Sequence, residues 1–389
     1  FKADKKNFSI EHSGSFKLAA FKWQTKAQKI AFENLAYKGT GEFAINLAGA
    51  SLIKSEGELA LNNFELAAGL DATANAKNAP SLKLATFKWQ GPIEALLEKQ
   101  ALSSLKVAED LQVSGLHIKA PVNLAIDKIK QQPGKKPLHI QFENNLIKSL
   151  ESSSTTHIKA LAFSQKEAKV AFASLLLNHT NPLKLKFSKG QLDSITDTTN
   201  VQVNALSVNQ NKLRLDAKSI SVSGPLSIAN IGQSPLISSK LNTQTTLLKI
   251  TQDHLAISAG SIALAATIEQ LDLQQPSIKQ ATLNMTNVDV SDLAQSLSLF
   301  SATKLSVNDA AYSPTLSSLE SLKAQNLKLV KSAATGALSQ VSNLHIEQLK
   351  LINNNNLQVS SVALKDSSHQ IQITENGQIT QLTQLQKSI

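Results

Sequence analysis

One spacing recurs along this chain: large apolar residues at the first, third, sixth and eighth positions of an octamer. The two most similar copies are FKLAAFKW, with Phe16, Leu18, Phe21 and Trp23, and LKLATFKW, with Leu82, Leu84, Phe87 and Trp89. Extended by a residue at each end, they read SFKLAAFKWQ and SLKLATFKWQ, agree at eight of ten positions and hold both tryptophans of the chain. The spacing returns in IAFENLAY (Ile30, Phe32, Leu35, Tyr37), LALNNFEL (Leu59, Leu61, Phe64, Leu66) and LQVSGLHI (Leu111, Val113, Leu116, Ile118). It appears again in VAFASLLL from Val170, VQVNALSV from Val201, LNMTNVDV from Leu283, LHIEQLKL from Leu344 and LQVSSVAL from Leu357.

The segments around these octamers alternate apolar and polar residues with period two, as in LRLDAKSISVSG and LKLKFSKG, which is the pattern of half-buried strands. In a regular strand successive side chains point to opposite faces. Positions one and three would then face one way, and six and eight the other. One extra residue at positions four and five, a β-bulge, returns all four to one face and bends the strand. A two-residue hairpin there does the same, and a straight strand with both faces partly buried is the third arrangement. The first two build a continuous apolar face. The expected fold is therefore all-β: an elongated, strongly curved antiparallel sheet of irregular repeats, forming a half-open groove, with at most one or two short helices.

Two segments have helical spacing. GPIEALLEKQALSSL places Pro92 at a first helical position, followed by Ile93, Leu96, Leu97 and Leu105. SDLAQSLSLF offers Ser291 as an N-cap before Leu293, Leu297 and Phe300. Breaks fall at QQPGKKP (131–137), ESSSTT (151–156) and INNNNL (352–357), and Asn376-Gly377 has the composition of a tight hairpin turn. No composition shift marks a domain boundary, so residues 1–389 read as a single elongated β-repeat array. The chain opens on Phe1 without a signal-like segment and is expected to be part of a longer protein. Leucine-rich repeats need a fixed period, and the octamers here are irregularly spaced. A parallel β-helix needs regular turns and abundant glycine, and this chain has 15 glycines.

The chemistry the chain excludes is as informative. It has no cysteine, so no disulfide framework, thiolate metal site or cysteine nucleophile. The net charge of +10 is carried by lysine, with Arg214 as the one arginine. Phosphate and base recognition favours the guanidinium fork, so specific nucleic-acid binding is not expected. Dispersed lysines suit a solvated strand face and edge protection, or attraction to anionic lipid surfaces. The eight histidines show no pair at helical metal-site spacing, and His117 and His345 sit at outward positions of a strand. Asp289 and Asp292 in DVSD read as a strand end and a capped turn. The sequons at Asn7, Asn178 and Asn284 matter only in a eukaryotic secretory chain. No nucleophile elbow, phosphate loop or dinucleotide fingerprint is present, so neither an enzyme nor a cofactor is expected.

Long alternating strands, the recurring LALNNFEL, LKLATFKW and LHIEQLKL, and the phrase LNMTNVDVSDLAQSLS together resemble the AsmA-like superfamily of Gram-negative envelope proteins. The resemblance implies an apolar, half-open β-groove that spans the periplasm and carries phospholipid between the inner and outer membranes. It also implies anchorage in the inner membrane through segments not in this sequence. The lining residues would be the twenty octamer positions named above by number, from Phe16 to Ile118. A second reading stays open: a structural or adhesive extracellular β-repeat protein in which the same residues form a closed, dry core.

Overall fold

The structure is a computed structural model that describes residues 2–3, 7–25, 28–46, 49–68, 80–99, 101–108, 110–120, 122–134, 136–272, 277–332, 336–353, 355–370 and 373. Among them every regular element is a strand and all pairings are antiparallel, as alternation demands. The chain divides into two compact units, Phe1–Gln202 with Ser227–Gln233, and Val203–Leu226 with Ser234–Ile389. The Asn376-Gly377 turn lies outside the described residues.

In the first unit β1 (Lys2–Ala3), β2 (Asn7–Gln24), β3 (Gln28–Asn46), β4 (Ala50–Ala68) and β5 (Ser81–Glu98) pair in chain order. Beyond β5 the strands come as collinear halves. β6 (Ala101–Val107) and β7 (Asp110–Lys119) both pair with β5. β8 (Asn123–Gln132) then pairs with β7, and β9 (Leu138–Glu143) with β6. β10 (Leu146–Ser152) pairs with β9 and β11 (Thr155–Gln165) with β8, and both meet β12 (Ala168–Ser188). The breaks read at 131–137 and 151–156 thus separate half-strands that continue one line. β13 (Gln191–Gln210) and β14 (Leu213–Ala229) contribute residues to both units. In the second unit β15 (Leu236–Gln252), β16 (Leu255–Asp272), β17 (Ile278–Asp292), β18 (Leu297–Tyr312), β19 (Leu316–Ser332) and β20 (Gly336–Ile352) form a meander. β21 (Asn356–Gln358) and β22 (Ser361–His369) finish it against β20, on either side of the INNNNL and Val359–Ser360 breaks.

Neither segment with helical spacing is a helix. β5 runs through Gly91-Pro92 and pairs Ile93, Ala95 and Leu97 with Val107, Leu105 and Leu102 of β6. A proline is tolerated there because its bonding edge faces the break between β6 and β7. Its carbonyl accepts the Ala108 N–H at 2.9 Å and no donor is required. The second segment is a turn at residues 293–296 between β17 and β18. Asp292 Oδ1 accepts the N–H groups of Ala294 and Gln295 at 2.8 and 3.2 Å, the capped turn that DVSD suggested.

Six of the octamers are creased at their centre. The fifth octamer position has a left-handed backbone at Ala20 (φ 51°), Asn63 (50°), Gly115 (59°), Ala205 (53°), Asn287 (49°) and Gln348 (48°). The rungs on either side keep one register: Ala19 and Phe21 of β2 face Asn34 and Phe32 of β3, with nothing inserted. The strand therefore reverses its side-chain phase without the extra residue of a bulge. Ala160, Leu247, Asn326 and Asp366 share the conformation and extend the crease across each unit. It recurs at every second line of strands: on β2, β4, β7 and β11 in the first unit, and at Ala205 of β13 and on β15, β17, β19 and β22 in the second.

Candidate functional site

Because the octamer pattern reads the same in both directions, an antiparallel neighbour places apolar residues opposite apolar residues. All twenty predicted positions fall into four rows across β2, β3, β4, β5 and β7. One row runs Phe16, Tyr37, Leu59, Trp89, Leu111, and the next Leu18, Leu35, Leu61, Phe87, Val113. Beyond the crease come Phe21, Phe32, Phe64, Leu84, Leu116, and then Trp23, Ile30, Leu66, Leu82, Ile118. Phe16 stacks on Tyr37 with ring centroids 5.8 Å apart, and Phe21 on Phe32 at 5.1 Å. The Trp89 indole N–H donates to the Ala108 carbonyl at 3.0 Å.

The second unit shows what the crease does to packing. Ala324 and Leu327 lie three residues apart on β19, astride Asn326, and would face opposite ways in a regular strand. Here they share one buried cluster with Val341, against which Phe300, Leu305, Leu329 and Leu344 pack. Both sides of the crease therefore present their apolar residues to one concave face. In the second unit the rows nearest the crease form a buried floor. Ala259, Val288, Ala302, Leu327 and Val341 are buried along one side of it, and Thr245 and Ala324 along the other. Ile126 of β8 holds the corresponding place in the first unit and is buried as well.

The twenty band residues are different, since none of them is fully buried. Phe16 is 52% exposed, Leu18 46% and Trp23 43%, and the rest are half-buried or, like Phe21 and Leu66, somewhat more open. No titratable group other than the Tyr37 phenol lies in the four rows. The opposite face carries the polar octamer positions, joined across strands. Thr86 and Ser114 share a hydrogen bond at 2.5 Å, as do Ser261 and Thr286 at 2.8 Å. Glu65 receives Lys29 at 2.5 Å and Lys83 at 3.1 Å, and these two ammonium groups hold its carboxyl below the ordinary value of 4.5.

Sequence reading found the open rows of the first unit and missed much of the buried floor of the second. The octamers ISAGSIAL (257–264), FSATKLSV (300–307) and LKAQNLKL (322–329) carry alanine at the third position, which was not scored as apolar. Counting alanine there would have found them. Two octamers join the main rows by one half only, Leu344 and Ile346 opposite Ala324 and Leu322, and Leu364 and Val362 opposite Leu344 and Ile346. The centre of LHIEQLKL is on a second crease, where Gln348 shares a row with Glu320 and Asp309, and LQVSSVAL spans the bend between β21 and β22.

Other polar groupings are structural in form. His179 Nδ1 lies 2.8 Å from Asp197 Oδ1 and 3.1 Å from Thr199 Oγ1, tying β12 to β13. Among the described residues no group of three His, Asp or Glu is arranged to hold a metal. No family profile, curated protein or solved structure matches the chain.

Proposed function

We propose that the creased apolar face holds the acyl chains of phospholipid and is part of a periplasmic route between the inner and outer membranes of a Gram-negative envelope. The observation that carries this reading is the contrast between the creased faces of the two units. Beside the crease of the second unit Ala259, Val288, Ala302, Leu327 and Val341 are buried, whereas in the first unit even Leu18 and Phe21, which flank the crease at Ala20, stay open with the rest of the aromatic and leucine rows. A dry structural core would bury those rows. Five strands about 4.8 Å apart give a band about 20 Å long, and each methylene it takes from water contributes about 0.8 kcal/mol. Headgroups would stay at the wet rim, and no catalytic residue is required. The resemblance of LALNNFEL and LNMTNVDVSDLAQSLS to AsmA-like proteins points the same way and supplies the compartment and the membrane anchor.

The test is photo-crosslinking in cells. A photoreactive amino acid at Phe87 or Trp89 is expected to capture phospholipid, whereas one at Lys88, on the polar face of the same strand, is not. Capture that is absent at all three positions, or equal at all three, would defeat the reading. Mass spectrometry of protein purified without detergent should find bound phospholipid.

A further inference from the structure

Cross-strand charges in the first unit are mostly complementary. Lys38 faces Glu58, Lys54 stands between Glu42 and Glu94, Lys83 faces Glu65, and Lys184 faces Glu151. Glu11 faces Glu42, and Lys83 and Lys106 face His117 and His139 but are also paired with Glu65 and Glu94; one basic group lacks such a carboxylate across the strand. On the polar face of β8 and β11, Lys128 stands directly opposite Lys159, and Lys130 directly opposite His157. Like charges directly opposite one another destabilise a sheet, and here two basic pairs are adjacent. The nearest carboxylate, Asp127, lies 3.7 Å from Lys159 and is well exposed. Among the described residues Lys128, Lys130 and His157 have no ion pair. Their other cross-strand neighbours, Ser114, Gln112 and Leu176, are uncharged.

We propose that Lys128, Lys130, His157 and Lys159 form a binding site for a phosphate mono- or diester. Neighbouring strands lie about 4.8 Å apart, and residues i and i+2 about 6.7 Å apart, so the four bases stand at the corners of a rectangle sized for one such anion. The Gln112 amide borders one side and can donate a further hydrogen bond. Lysine supplies point charges that suit phosphate without base readout. The site is on the face opposite the apolar rows and does not depend on the lipid reading. A bound anion would offset the repulsion that folding builds into this patch.

The full chain, its Lys159→Glu variant and a Lys17→Glu control with the same change in net charge decide the question. Binding is measured to inorganic phosphate by titration calorimetry, and to vesicles of phosphatidylglycerol in phosphatidylcholine by co-sedimentation, against phosphatidylcholine alone. Lys159→Glu should raise the thermal midpoint, because Lys128 gains a carboxylate partner, and should weaken anion binding about tenfold. Lys17→Glu should leave binding unchanged. Lys130→Gln, which removes charge without creating a pair, should also weaken it. Binding of both ligands supports a general phosphate site, vesicles alone a lipid headgroup, and phosphate alone a soluble ester. No binding by the wild-type chain, or equal loss in the Lys17→Glu control, overturns the proposal.

Discussion

Along the main crease the left-handed residues are Ala20, Asn63, Gly115, Ala160, Ala205, Leu247, Asn287, Asn326 and Asp366. A left-handed conformation costs an ordinary L-residue about 1–2 kcal/mol, and Asn, Asp and Gly tolerate it best. Ala160→Gly should therefore stabilise the chain by about 0.5 kcal/mol or more, read as a higher urea midpoint. Gly115→Ala goes the other way. Its added Cβ would lie 2.9 Å from the Ala85 Cβ at a φ of 59°, and a loss of about 2 kcal/mol is expected in the same measurement. Glu65 supplies a pH test. Lys29 and Lys83 lower its folded-state pKa, so the stability it contributes is complete above its ordinary value of 4.5 and is lost as pH falls through the lower folded value. Glu65→Gln should cost up to about 1 kcal/mol at pH 7 and nothing in strong acid, as measured by unfolding at the two pH values.

At the scale of the strand, the crease separates two kinds of apolar residue that look alike in sequence. Leu327 is on the floor and buried from both sides, so Leu327→Ala should cost about 2–4 kcal/mol. Phe16 is on an open wall, and Phe16→Ala should cost about 1 kcal/mol or less despite removing a larger side chain. Urea unfolding of the two variants checks the order. The helical spacing of Ile93, Leu96 and Leu97 misleads for a related reason. Local period says only that these residues favour burial. β6 supplies Val107, Leu105, Ser104 and Leu102 as cross-strand partners, and the long-range ladder prevails. Pro92, which looked like a helix start, is accommodated because two half-strands meet beside it.

At the scale of the molecule, the four open rows are the feature a folded chain would bury if burial were their only use. Leu18→Asp places a carboxylate on that face at a position 46% exposed. It should reduce the phospholipid recovered per mole of protein while leaving the thermal midpoint nearly unchanged, as measured by mass spectrometry and calorimetry. The all-β antiparallel class and the membership of all twenty open-row residues in one band were legible in the sequence. Alternation and the palindromic octamer state which side chains share a face, and antiparallel pairing then aligns them. The left-handed crease was not legible, because spacing alone also permits a bulge, a hairpin or a straight strand. The alanine floor was legible only in part: counting alanine finds those octamers, but which alanines are core is decided by what closes over them. The Lys128–Lys159 opposition depends on which residues register brings face to face. These features were decided by tertiary structure because each is set by what lies across the sheet, at separations in sequence that no local pattern reports.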